Sequence, residues 1–195
     1  MSSLSILIHS FNGYQHFWKG CLDGWRKHGN YSIPIYLGTD FEDHKPHEVD
    51  FLYSGGGEWA DRLLKLLDQI PSDYVLYCQE DHWPTENPPD LYMMMEVVKK
   101  YDLFRLQLSP IIQFYALSGH KAPYFFHTTS KYLVSHQPSI WNKSFLINCL
   151  RSGESPWVNE YKGTLRLNNQ IASNKIAIYP CDWYAHKCIK GKFVE

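Results

Sequence analysis

The feature that most constrains this chain is the rhythm of its first eighty residues. Apolar runs at Ser3–His9, Tyr31–Leu37 and Tyr74–Cys78 alternate with two helical stretches. In Gln15–His28 the residues Phe17, Trp18, Cys21, Leu22 and Trp25 recur at the spacing of an amphipathic helix that stops before Gly29-Asn30. Glu58–Gln69 repeats the pattern with Trp59, Leu63, Leu66 and Leu67, and Pro71-Ser-Asp73 breaks it. Phe51–Tyr53 reads as a short strand between them. A strand–helix–strand–helix–strand order specifies a parallel sheet with helices on both faces, an α/β fold. Tyr74–Cys78 is apolar without interruption, as expected of a strand buried on both sides.

Beyond residue 85 the rhythm changes. Pro84–Pro89 reads as loop and Asp90–Tyr101 as a helix with Asp90 as its N-cap. Leu103–Ser109, Gln113–Leu117 and Tyr124–Thr128 read as strands. Pro138–Leu150 reads as a helix with Gly153 past its end, and Pro156 to about Tyr161 as the beginning of another short one. Gln170-Ile-Ala172 suggests a helix turn and Ile176–Tyr179 a last strand before a short basic tail. With no linker or repeat, residues 1–195 read as one domain with two halves, 1–85 and 86–195.

Hydrophobic residues make up 44% of the chain, which is enough for a sizeable core. A formal net charge of -1 gives no electrostatic basis for broad nucleic-acid binding. No run approaches the roughly 20 apolar residues of a membrane span. The N-terminus lacks the basic region of a signal peptide, so a cytoplasmic location is expected. The cysteines Cys21, Cys78, Cys149, Cys181 and Cys188 are scattered and odd in number, which fits free thiols in a reducing compartment. Cys181 and Cys188 lack further partners at zinc spacing. The Asn30-Tyr-Ser32 and Asn142-Lys-Ser144 patterns of glycosylation occur commonly by chance. Aromatic residues reach 16%, enough to fill a core and also to line a cleft for sugar rings.

The most chemical segment is Glu80-Asp81-His82, at the C-terminal end of the buried strand. Ligands of open α/β sheets bind outside that end. Adjacent acids repel unless a cation sits between them. Carboxylate and imidazole suit Mn²⁺ or Mg²⁺, with Mn²⁺ ahead, and diphosphate oxygens would complete the shell. The plain alternative is a solvated loop. Gly55-Gly56-Gly57 lacks Walker spacing and reads as a lead-in to the second helix.

With its polar turn after the first strand, Gly38-Thr39-Asp40 after the second, Arg62 on a helix and an apolar strand ending in an acidic triplet, the chain resembles the GT-A nucleotide-sugar glycosyltransferases. Gly57–Thr85, and within it Ile70–Asp81, carries most of the likeness. The compact size is similar to that of glycosyltransferase domains of bacteria and large algal viruses. The resemblance implies a single Rossmann-like GT-A domain, with a central mostly parallel sheet and a smaller mixed sheet on the acceptor side. Residues 1–85 would bind the nucleotide sugar, a UDP-sugar by preference, and 86–195 a glycan or glycoconjugate acceptor. Glu80-Asp81-His82 stands where the family carries Asp-x-Asp and departs from it. Either Glu80 and His82 take the outer ligand positions, or Asp81 is the principal ligand.

The same resemblance implies further roles. His9, Ser10, Phe11 and Asn12 would face base and ribose, and Asp40 would accept the uracil N–H. Arg62 would reach base or diphosphate, and Lys187 or Lys190 would neutralise diphosphate. His186 would serve the metal or diphosphate. Glu154 is expected as the general base of an inverting transfer, with Glu160 second, although Ser155 replaces the family's second acid. Trp157 and Trp141 are candidates for the acceptor wall or for core. A nucleotidyltransferase, which would carry a basic Gly-rich loop after the first strand, and a non-catalytic glycan-binding module are the competing readings.

Overall fold

The computed structural model describes residues 3–29, 32–41, 49–167, 174–189 and 192–193. The first four strands, β1 (Leu4–His9), β2 (Ile35–Thr39), β3 (Asp50–Tyr53) and β4 (Tyr74–Gln79), are parallel in the order β3-β2-β1-β4. Their side chains alternate between two cores, as the pleat requires. Ile6, Ile8, Leu76 and Cys78 face Trp18, Cys21 and Trp25 of helix α1 (Gln15–His28). Leu7, Val75 and Tyr77 face Leu63, Leu66 and Leu67 of α2 (Trp59–Gln69) on the other side. A 3₁₀ turn, Asn12–Tyr14, joins β1 to α1.

The rest of the chain extends the same sheet. A short β5 (His82–Pro84) is followed by α3 (Leu91–Lys100), β6 (Arg105–Gln107), β7 (Leu117–Ser118), β8 (Tyr124–Phe126) and β9 (Ser139–Asn142). Helices α4 (Lys143–Cys149) and α5 (Pro156–Leu167) precede β10 (Ile176–Ile178), β11 (Tyr184–His186), β12 (Cys188–Ile189) and β13 (Lys192–Phe193). The nine-stranded sheet runs β3-β2-β1-β4-β9-β6-β10-β8-β7, and β9 and β8 oppose the other strands. Two small ladders, β5 with β11 and β12 with β13, stand apart from it. Asp90 caps α3, its Oδ1 accepting from the Tyr92 and Met93 amides at 2.9 and 3.1 Å, a cap worth about 1 kcal/mol.

Several expectations need correction. Pro138–Leu150 is not one helix: Ser139–Asn142 is a strand between β4 and β6, and the helix starts only at Lys143, capped by Asn142. Trp141 is therefore core, fully buried beneath the Arg105 guanidinium, and forms no acceptor wall. The strand expected over Gln113–Leu117 shrinks to Leu117–Ser118. The strand at Ile176–Ile178 is not the last, because the short basic tail supplies β11 to β13. Residues 170–172, Asn30 and Lys190 lie outside the described residues. The five cysteines are free thiols. Among the described residues no helix is long and apolar enough to cross a membrane.

Candidate active site

The parallel strands β1 and β4 end side by side, with His9 in register with Gln79. Beyond their ends opens a cleft of about 540 Å³. His9, Ser10, Phe11 and Tyr14 line it from the first strand's turn, Gln79, Glu80 and Asp81 from β4, and Arg62 from α2. Trp59, His136, Gln137, Trp157, Glu160 and His186 also line it.

The acidic triplet folds back on itself. His82 begins β5, which pairs antiparallel with β11 and sets His186 directly opposite His82. One donor atom each from Asp81, His82 and His186 lie within 4.8 Å of one another. His186 Nε2 meets Asp81 Oδ2 at 2.9 Å. Asp81 Oδ1 and His82 Nε2 are buried with no hydrogen-bond partner. Burial opposes the charge of Asp81, but the His186 hydrogen bond and the neighbouring imidazoles outweigh it and hold the carboxyl below its usual range. The same bond raises His186. Burial pushes His82 down to about 4. Glu80 is pushed well above the carboxylate range, first by burial and then by Asp81. A divalent cation fits this corner: an orphaned carboxylate oxygen, a charged carboxylate and imidazole side chains stand together there.

Arg62 lines the cleft with its guanidinium 5.3 Å from the Phe11 ring centroid, and its Nη1 donates to Gly57 O at 2.7 Å. Ser10 also lines it, its Oγ accepting from Trp18 Nε1 at 2.6 Å. Asn12 and Asp40 stand back from the lining: the Asp40 Oδ1 accepts from the Asn12 amide at 2.7 Å and so holds the loop. Lys187 turns away, its ammonium 5.8 Å from the Trp83 ring centroid while its amide donates to Asp81 O.

The two expected base residues part company. Glu154 is buried outside the cleft, paired with both Nη atoms of Arg166 at 2.8 and 3.0 Å and accepting from Asn159 Nδ2 at 2.7 Å. Burial would raise its pKa, but these partners prevail and lower it. Glu160, on the next turn and a half of α5, lines the cleft and accepts from the His136 amide at 2.7 Å. Burial raises its pKa. Glu160 and Gln137 also line a second hollow of about 350 Å³ with Tyr115, Tyr132 and Tyr184. Trp157 is 74% exposed at the rim of the cleft.

Sequence reasoning missed His136, Trp59 and Gln137. His136 Nε2 lies 3.1 Å from Asn159 Oδ1, and Asn159 Nδ2 is committed to Cys149 O and Glu154, so the ring is held by a chain Arg166–Glu154–Asn159–His136. Burial drives His136 down to about 3, which keeps it neutral. A lone His in a polar loop before a proline gives no sequence signal of this.

The sequence matches no protein-family model and no curated protein. Its fold does have counterparts among solved structures. Staphylococcus aureus TarS 1-349 superposes with a TM-score of 0.63 at 13% identity over 93% of this chain. Glucosyl-3-phosphoglycerate synthase from Mycobacterium tuberculosis, in complex with Mn²⁺ and UDP-glucose, gives 0.59 at 10% identity over 96%. TarS 1-349 in complex with UDP gives 0.63 at 11% identity. The chain spans 59% of the TarS 1-349 chain and 72% of the synthase chain. The class that the fold defines is therefore GT-A: a mostly parallel α/β sheet flanked by helices, with small accessory ladders.

Proposed function

We propose that this chain transfers a sugar from a nucleotide sugar, UDP-linked by preference, to a hydroxyl of a glycan or glycoconjugate. The observation that carries this reading is the position of Glu160, between the cleft at the strand ends and a second, tyrosine-lined hollow. A donor in the first and an acceptor in the second would meet at this carboxylate.

Arg62, on the nucleotide side of the cleft, offers positive charge to the diphosphate. Asp40 acts through the loop, since its bond to the Asn12 amide orients the turn that faces the nucleoside. Asp81 and His186, with His82 packed beside them, form the corner that would hold a divalent cation, Mn²⁺ ahead of Mg²⁺. Bound there, such an ion offsets the charge that grows on the departing diphosphate. Glu160 takes the acceptor proton, and a pKa raised by burial moves it toward the working range of a general base. The acceptor oxygen then bonds the anomeric carbon as the bond to the diphosphate breaks on the opposite face, which inverts that centre. Glu154, neutralised by Arg166, supports the wall that carries His136.

The test is to screen nucleotide sugars with Mn²⁺ for release of the nucleoside diphosphate, with and without added oligosaccharides. Release of UDP from at least one UDP-sugar, stimulated by an acceptor, is the expected result. Release of pyrophosphate from a nucleoside triphosphate would point instead to nucleotidyl transfer, and glycan binding without turnover to a binding module.

A further inference from the structure

Three side chains crowd the cation corner, and their hydrogen bonds tell them apart. The backbone N–H of Gln79 donates to His82 Nδ1 at 3.1 Å. A backbone amide can only donate, so Nδ1 must carry the lone pair. The neutral ring then bears its hydrogen on Nε2, and a fully charged ring would have no acceptor at Nδ1 at all. Turning the ring over would leave the Gln79 amide against a C–H, and buried amides are rarely left unpaired. Neither nitrogen is thus a free lone pair: one is used by Gln79 and the other carries hydrogen. Metal-binding histidines show the opposite arrangement, with the second nitrogen donating to an acceptor.

Access points the same way. Asp81 and His186 line the cleft, whereas His82 does not and is only 1% exposed. Its Nε2 is buried without a partner, as is Asp81 Oδ1. A hydrogen on one and an empty lone pair on the other are complementary, within a cluster whose donor atoms lie within 4.8 Å.

Building on the cation-assisted reading above, we propose that His82 is not an ion ligand but a positioning residue. Its Nε2 hydrogen, unpartnered as it stands, is available to the equally unpartnered Oδ1 of Asp81, and Asp81 and His186 are left as the protein's ligands. The assignment replaces the expectation that His82 ligates the metal.

The experiment is pulsed EPR of the Mn²⁺-loaded protein together with Mn²⁺ titrations, without nucleotide. The wild type should show nitrogen coupling from one imidazole. His82→Gln, which keeps an N–H donor, should keep that coupling and hold Mn²⁺ affinity within about threefold. His82→Leu should weaken Mn²⁺ by about 10–100-fold, the usual effect of losing a group that orients a ligand, yet still show the coupling once saturated. His186→Gln should abolish it. If His82→Leu does not fold, His82→Gln decides alone. Coupling from two imidazoles, with one lost in His82→Gln, overturns the inference while leaving cation binding intact. Absence of any Mn²⁺ bound to the wild type overturns both the inference and the cation-assisted reading.

Discussion

His186 lies directly across the β5–β11 ladder from His82, with ring centroids 5.0 Å apart. Two short strands thereby bring the end of the chain to the acidic triplet. The ladder is held on one side by α1, where Trp25 meets Trp183 edge-on at 5.5 Å, an aromatic pair worth about 0.5–1.5 kcal/mol beyond its burial.

Glycines in α1 make room for that ladder, which gives a first prediction. A Cβ on Gly24 would sit 2.7 Å from the Pro84 carbonyl oxygen, a backbone atom with no rotamer to escape into. Alanine in a helix interior ordinarily gains about 1 kcal/mol over glycine. Gly24→Ala should reverse that sign and lose about 1–3 kcal/mol through overpacking, seen as a lower urea midpoint. A stabilised variant would mean that β5 does not press on α1.

The two acids of the Glu154–Glu160 segment should separate by what they damage. Glu160→Gln should fold normally and slow transfer by about 10²–10⁴-fold. Glu154→Gln should instead lose about 1.5–3 kcal/mol of stability, since it weakens a buried charge-assisted pair with Arg166, and should keep far more activity. Urea unfolding and initial rates on both variants check this. A stable but inactive Glu154→Gln beside an active Glu160→Gln would return the base to Glu154.

Acid should expose the neutral burial of His136. Its pKa in the folded chain is lowered to about 3, chiefly by burial, with the Arg105 charge adding to it against the opposing Asn159 hydrogen bond. Between the ordinary histidine value of about 6.5 and that value, the unfolded chain binds a proton that the native ring refuses. The stability it contributes is present above about pH 6.5 and is lost as pH falls. The stability gap between wild type and His136→Asn should therefore shrink on going from pH 7 to 5, by up to about 1.4 kcal/mol per pH unit. Urea unfolding at three pH values measures it, and a constant gap would mean that the ring titrates normally.

Legibility in the sequence followed how local each signal was. β1, α1, α2 and β4 carry their own periodicity, and α1 starts and ends where Gln15 and His28 suggest. The β9 strand is different. Ser139-Ile-Trp-Asn142 runs into Phe145, Leu146 and Ile147 without a break, and only the flanking β4 and β6 make the first four residues extended. Three-residue strands such as β5 and β11 have no period to read, and their pairing joins residues about a hundred positions apart. The triplet at the end of β4 could be read because burial of Tyr74–Cys78 fixes where it emerges. The separate roles of His82, Glu154 and Glu160 could not, since the Gln79–His82 bond and the Arg166–Glu154 pair exist only in the folded chain.

The account rests on the cleft at the ends of β1 and β4 being a cation-dependent nucleotide-sugar site. Calorimetric titration of UDP into chelator-treated protein, repeated after addition of Mn²⁺, tests this most directly. The account predicts binding at least tenfold tighter with the ion, and loss of that gain in Asp81→Asn. Equal affinity with and without Mn²⁺, or no UDP binding in either condition, would contradict it.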